Sequence, residues 1–415
     1  MAGHPVDHAQ EKPPCHGAGA PGGRIAKRMV RAGAWLDIIG LLSRKINMTP
    51  RQRLLAVITG STPDHVPALA DLSWWHAAHG GGRFVPAAVG NEKRIEALID
   101  LHRRVGVAMH LNLGAFYREV HAPDVHVQTV VDGDRYTHRM TTPVGCVEEV
   151  RCWSPEAWSW PIVQHMVRGV EDLKIIRYVF EHVRYQACWE ALARVNAMVG
   201  DIGLPFVQAP YTGMGFLISR YAGIERTVMF SVDQPDELAQ TVATINAAHE
   251  RVFSLLAQGP AQVLFVSDNL SSDVQSPAWF GRWSAAHYAA LAKIAHAHDK
   301  PISVHIDGRL RGLLSAVSEC GIDVAAAVTP APWGYLTPTQ WSDEAGAKLV
   351  LSGGVPPDSF SAAVPMTVFD ARVQAWLELR HASPALVIAP GDQLPPDGEL
   401  DRVRRMCDMA RQATF

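Results

Sequence analysis

Eight short apolar runs, most of them separated by helical patterns, constrain this chain more than any other feature. They centre near residues 66, 107, 206, 264, 303, 325, 350 and 387. Each is bounded by Gly, Pro, Asp or Asn and rich in Val, Ile, Leu and Ala, as expected of strands buried on both faces. Eight β/α steps spread over about 350 residues match a TIM (β/α)8 barrel. An open doubly wound sheet would carry a Gly-rich phosphate fingerprint after its first strand, and none is present. With 415 residues and 48% hydrophobic content the chain can bury a core of that size.

Other segments are expected around the barrel. Residues 1–23 are rich in Gly, Pro, His and Ala without apolar periodicity and read as a disordered tail. His4, His8, Cys15 and His16 fall there, where nothing fixes ligand geometry. Residues 24–47 read as a basic amphipathic helical extension. The barrel is expected over 48–412, opening with Thr49-Pro50 at a helix start. The stretch from about 125 to 152 alternates Thr, Val and Tyr around Asp132-Gly133-Asp134 and Pro143-Val144-Gly145, predicting an antiparallel hairpin insertion that lids one face. Residues 155–198 are expected to be helical. Ser276-Pro277 caps a further helix.

A barrel gathers its chemistry at the carboxyl ends of its strands. Those ends present Asp71, Asn112, Tyr211, Asp268, Asn269, His305, Asp307 and Asp392. Pro301–Gly308 matters most. Its strand runs out into His305-Ile306-Asp307-Gly308, setting an imidazole and a carboxylate side by side. A His-x-Asp also arises when the histidine packs and the aspartate caps the next helix. Carboxylates in a closed mouth, however, cost solvation unless they bind a cation, pair with a base or meet a polar substrate. His305, Asp307 and Asp392 are therefore the candidate catalytic residues, with Asp71, Asp268 and Asn269 as candidate substrate contacts. Trp74, Trp75, Tyr211 and Trp333 could line an aromatic pocket or pack in the core.

Net charge of −3 and a pI near 6.7 give no sign of nucleic acid or anionic membrane as partner. No apolar run is long enough to span a bilayer. Six scattered cysteines without a CxxC fit a reducing cytoplasm. There is neither a serine nucleophile elbow nor a P-loop. His287, His296 and His298 lie on a helix and read as surface or packing residues.

From about Met48 to Met409 the chain resembles the uroporphyrinogen decarboxylase-like superfamily. The resemblance rests on Thr49-Pro50-Arg51-Gln52-Arg53-Leu54-Leu55 with Pro63-Asp64-His65-Val66-Pro67, on Thr142-Pro143-Val144-Gly145, and on Ser276-Pro277. Further on, Lys300–Gly308, Gly321-Ile322-Asp323 and Gly391-Asp392-Gln393-Leu394-Pro395-Pro396 keep the order and spacing. The resemblance implies a TIM barrel and either of two chemistries. True uroporphyrinogen decarboxylases grip substrate carboxylates with an arginine-rich segment after the first strand. This chain has Asp71-Leu72-Ser73-Trp74-Trp75-His76 there, with Arg83 the only nearby arginine, so a polyanionic tetrapyrrole is badly served. Corrinoid methyltransferases of the superfamily hold zinc on a His-x-Cys at the fifth strand and a Cys at the eighth. His305 matches the histidine; Asp307 and Asp392 stand at the cysteine positions.

Two thiolates suit zinc that activates a thiol. A His305/Asp307/Asp392 set either holds Zn²⁺ as a Lewis acid toward an oxygen substrate or works without metal, an aspartic acid protonating a leaving alkoxide. The expectation is a methyltransferase that moves a methyl group from a small O-methyl or aromatic ether donor to a corrinoid carried by a separate protein. The alternative is a decarboxylase or lyase acting on a small carboxylic acid, and a third reading is a non-catalytic binder.

Overall fold

The computed structural model describes residues 47–80, 83, 92–112 and 116–415. The tail and extension expected over 1–47 lie, apart from Asn47, outside them. Strands are numbered along the chain. β1 (Leu69–Ala70) and β2 (Ala108–Asn112) begin the barrel. An excursion follows with β3 (Tyr117–Val120), β4 (His126–Asp132), β5 (Arg135–Thr142), β6 (Gly145–Cys152), β7 (Ile162–Gln164) and β8 (Arg184–Ala187). The barrel resumes with β9 (Gly203–Ala209), β10 (Leu264–Leu270), β11 (Ile302–Ile306), β12 (Val324–Val328), β13 (Val350–Val355) and β14 (Leu386–Pro390).

The eight barrel strands run in the order β1-β2-β9-β10-β11-β12-β13-β14 with every pairing parallel. A parallel bridge from Ala68 to Ile388 and the bond from Ile388 N to Pro67 O, 2.9 Å, join the last strand to the first. All eight expected strands are present. The first is shorter than its apolar run because His65 bridges antiparallel to Thr414 and Pro67 has no N–H to donate to a ladder.

Alternate residues point into and out of the barrel. Leu69, Phe206, Phe265, Val324, Val350 and Val387 fill the interior. Leu54, Val57 and Ile58 of the helix Pro50–Ile58 join this inner cluster. That helix starts as the sequence predicts: Thr49 and Gln52 form a capping box, and Pro50 occupies the first turn. The outward residues Val207, Val266, Val304, Ala325, Leu351 and Ile388 pack against the surrounding helices. Both faces are dry, which is why these strands read as apolar runs.

The insertion is a four-stranded antiparallel sheet in the order β4-β5-β6-β7, and β3 pairs with β8 in a separate ribbon. The expected hairpins lie at β4–β6. The stretch 155–198 is not helical throughout: β7 and β8 interrupt it, with helices at Val170–His182 and Trp189–Val199. A four-residue strand held by a partner 70 residues away in sequence, as in the Tyr117–Ala187 pair, leaves almost no local periodicity to read. Cys146 and Cys152 both lie on β6; these two, Cys188, Cys320 and Cys407 are free. Among the described residues no helix is long and apolar enough to cross a membrane.

Gly354 shows how tightly the barrel meets its outer layer. Its φ is +100°, and an added Cβ would lie 2.1 Å from the ring of Trp376. That ring is fully buried, and its Nε1 donates to Val387 O over 3.1 Å. Gly354→Ala therefore combines a strained backbone with an overpacked core, and should cost at least about 2 kcal/mol in urea unfolding followed by tryptophan fluorescence.

Candidate active site

The carboxyl ends of β1, β11 and β14 bring four titratable side chains together. Asp392 lies within electrostatic reach of His305, Asp307 and Asp71. His305 is the fourth residue of β11, half-buried, with its ring edge-on to Phe265 at 6.1 Å. No hydrogen bond to its ring nitrogens occurs among the described residues. Asp307 follows the strand, tied by its own N–H to Leu270 O over 3.0 Å, and its side chain is exposed. Asp392 follows Gly391, whose N–H donates to Val355 O over 2.7 Å. Any side chain at Gly391 would strike the Thr329 hydroxyl. This glycine lets the chain end pass close to the neighbouring loop and set Asp392 in the mouth.

Asp392 keeps a solvent-accessible face, but surrounding protein strips much of its hydration. This desolvation raises its carboxyl above the usual range. Asp307 and Asp71 push the same way by like-charge repulsion, while His305 and the Gln393 N–H oppose the rise. The group holds its proton to higher pH than an ordinary aspartate, as a proton donor must.

Asp71 has a second role. Its Oδ1 accepts from Ser73 N over 2.8 Å, opening the helix Ser73–His79. Gln393 Nε2 donates to Asp71 Oδ2 (3.3 Å) and Ser73 Oγ (2.9 Å), and Leu394 N donates to Asp71 O (2.9 Å). The ends of the first and last strands are thus stitched beside Asp392. Gln393 and Ser73 were not singled out as site residues from the sequence. Both are adjacent to candidates, but their pairing shows only once the barrel is closed.

Asp268 is buried and fully engaged. It accepts from Thr212 N (2.8 Å), the Thr212 hydroxyl and the Tyr288 hydroxyl (2.8 Å). Burial raises its carboxyl, and these three donors hold it back. It brackets β10 to the turn after β9, and so positions Tyr211, one residue before Thr212. Tyr211 is half-buried; burial raises its phenol, and the nearby Arg220 opposes that rise. Asn269 is exposed at the end of β10, with φ +50°. Trp74 is half-buried. Trp75 stacks on His79 at 3.9 Å and donates to Gly398 O over 2.8 Å. Trp333 stands on the rim, 56% exposed. Arg83 is spent on the insertion: it donates to Gly133 O over 2.8 Å, pairs with Asp134 and lies 5.2 Å from the rings of both Trp153 and Trp160.

A cavity of about 540 Å³ lies at the opposite end of the barrel, where Pro301, Asp323, Lys348 and Ala385 precede their strands. That end of a barrel serves stability, whereas loops at the other end carry chemistry. Among the described residues no three His, Cys, Asp or Glu side chains converge closely enough to hold a metal ion. His305, Asp307 and Asp392 as placed do not fit a resident zinc, and no step below passes through one. Wild type and Asp392→Ala should contain equal zinc by elemental analysis; a stoichiometric metal lost in the variant would reinstate the ligand set.

Fold and mouth together define a TIM-barrel protein whose acidic, histidine-bearing site is built from both ends of the chain. The uroporphyrinogen decarboxylase (URO-D) family profile matches residues 153–413, more than half of the sequence, and the chain belongs to that family. No curated protein sequence matches it. Among solved structures, a methyltransferase from Methanosarcina mazei superposes with a TM-score of 0.59 at 17% identity, covering 88% of this chain and 99% of that one. At that identity the likeness concerns the fold. A mandelate racemase/muconate lactonizing enzyme from Jannaschia sp. CCS1 reaches a TM-score of only 0.16 at 11% identity, over 65% of this chain and 86% of that one, and carries no argument.

The raised carboxyl of Asp392 makes a signed prediction. A raised folded-state pKa favours the protonated form, so its stabilising contribution is present below the ordinary carboxylate value of 3.8 and is lost as pH rises through the folded value. Asp392→Asn should therefore melt above wild type at pH 7, with the gap closing as the pH falls below the ordinary value. Equal melting temperatures at both pH values would rule out the unfavourable charge.

Proposed function

We propose that this protein is a methyltransferase component that moves a methyl group from a small O-methyl donor to a corrinoid carried by a separate protein. The observation that supports it most is the upward shift of the Asp392 carboxyl beside His305, with neither thiolate present that a zinc-activated thiol chemistry would need. A reduced corrinoid, presented at the mouth by a partner protein, would supply the electron pair that takes the methyl carbon.

The chain's own residues then have distinct tasks. The donor oxygen lies toward Asp392 and its methyl group toward the mouth opening. As the carbon–oxygen bond breaks, its electron pair goes to oxygen, and Asp392 gives that oxygen its proton. The carboxylate left behind is stabilised by His305, whose charge already opposes the rise in the Asp392 carboxyl. His305 then passes a proton from solvent back to Asp392. Asp71, fixed by Ser73 and Gln393, keeps the site acidic enough to reload. Five free cysteines among the described residues fit the cytoplasm as the setting.

Purified protein, incubated with cob(I)alamin and a panel of methoxylated compounds, should convert the cobalamin spectrum to that of its methylated form. Asp307→Ala and Asp392→Asn should each slow this by about 100-fold or more. An unchanged spectrum across the panel, or release of CO₂ from a small acid without any corrinoid, would overturn the reading in favour of no transfer or of a lyase.

A further inference from the structure

The insertion sheet ends on two unlike edges. β7, at one end of the order β4-β5-β6-β7, has three residues, and its pairing with β6 shifts register between Val150 and Arg151. Short length and broken register are common means of blunting a sheet edge. β4, at the other end, shows neither. It runs for seven residues, His126-Val127-Gln128-Thr129-Val130-Val131-Asp132, and pairs with β5 in unbroken register from His126–Thr141 to Asp132–Arg135. It holds no proline, lysine or arginine. All seven residues are exposed, and among the described residues the strand has a partner on one side only.

Such an edge leaves backbone N–H and C=O groups open to a further strand. Its side chains suit one as well. Val127, Val130 and Val131 are 38%, 47% and 60% exposed, although β-branched residues in strands gain most from packing against neighbours. Val127 and Val131 share a face with Thr129, whose hydroxyl bonds the His138 ring of β5 at 2.8 Å. The turn that follows is tied down, because Arg83 donates to Gly133 O and pairs with Asp134.

The strand also matches itself. Laid antiparallel on a second β4 about Thr129, it sets Thr129 opposite its own copy and Gln128 opposite Val130. Val127 then meets Val131, and His126 meets Asp132, each pair occurring twice. Opposed residues all fall on a common face, as the two-residue period of a strand requires. β-Branched pairs and paired threonines favour such a ladder. His126 and Asp132 are the only titratable side chains of β4 and stand at its two ends, so each imidazole can donate to a carboxylate of the other strand. A shift by two residues leaves two residues of each strand unpaired and parts His126 from Asp132. A parallel pairing sets histidine against histidine and aspartate against aspartate.

We propose that β4 is an interaction surface for a second copy of this chain. Two β4 strands pair antiparallel about Thr129, and two four-stranded sheets become one across a two-fold axis. A second copy is the occupant because the charges, the valines and the central threonine all match in a single register that two-fold symmetry allows. Two strands of this length make a small interface, so the dimer is concentration-dependent, with a Kd on the order of 10 μM.

Sedimentation of the full-length protein tests this. Wild type should pass from the mass of the 45.3 kDa chain to twice that mass as concentration rises through this range. Val127→Lys combined with Val131→Lys sets lysine opposite lysine and should raise the Kd at least about 10-fold, with the melting temperature retained. His126→Asp should weaken the dimer, and adding Asp132→Lys should restore it. Register is read by cross-linking. Under a mild thiol oxidant Thr129→Cys should link two chains, since opposed residues lie within disulfide reach. Val127→Cys, which faces Val131, should not exceed the wild-type background from the exposed Cys146. If the lysine variant fails to fold, the two cysteine variants still decide. A monomer at every concentration up to about 100 μM, a dimer that the lysines leave unchanged, or equal linking of Val127→Cys and Thr129→Cys would overturn the proposal.

Discussion

Closure of the barrel between β1 and β14 is the interaction on which the site depends. The pairing itself is slight: one bridge at Ala68 and Ile388 and one bond to Pro67 O. Beyond it, Leu394 N reaches Asp71 O, and the Gln393 amide spans Asp71 and Ser73. These bonds fall where the two carboxylates of the site leave their strands. Without the closure Asp71 and Asp392, more than 300 residues apart in sequence, would not influence each other. With it they crowd, and desolvation together with their repulsion raises the Asp392 carboxyl above its ordinary value. The stitch that completes the fold also sets the chemistry of the mouth.

A second carboxylate, Asp268, shows the contrasting solution. It is buried deeper, yet three donors saturate it, so it serves as a bracket between β10 and the turn after β9. Gly215 lies against it so closely that a Cβ would fall 2.2 Å from Asp268 Oδ1. Around Asp392, among the described residues, the Gln393 N–H and His305 are what oppose the rise of its carboxyl. Two aspartates toward the carboxyl ends of β10 and β14 thereby differ in how many donors each receives, and Asp392 is the one left as a candidate for chemistry.

Much of the barrel was legible from the chain alone, and the reasons are local. Runs such as Leu264–Val266 and Ile302–Val304 are apolar because both faces are dry, and Thr49-Pro50 and Ser276-Pro277 start helices by capping chemistry that needs no distant partner. His305 and Asp392 could be assigned to one mouth because eight parallel strands must bring all their carboxyl ends to one side. What escaped depends on long-range pairing. β8 has meaning only beside β3, β7 only beside β6, and Gln393 only beside Asp71. The bridging role of Asp268 was hidden for the same reason: an aspartate at a strand end reads alike whether it faces solvent or three buried donors.

The insertion follows from the same logic. A sheet added after β2 needs a surface to cover, and it finds one at the loop after β9 through Val167, His165 and Arg226, whose Nη1 donates to Val167 O over 3.0 Å. The chain bonded there includes the π-helical turn Leu217–Tyr221, from which Arg220 approaches Glu149. Glu149 is buried at a cost that only paired cations offset, and the two arginines that offset it retain buried N–H groups without acceptors.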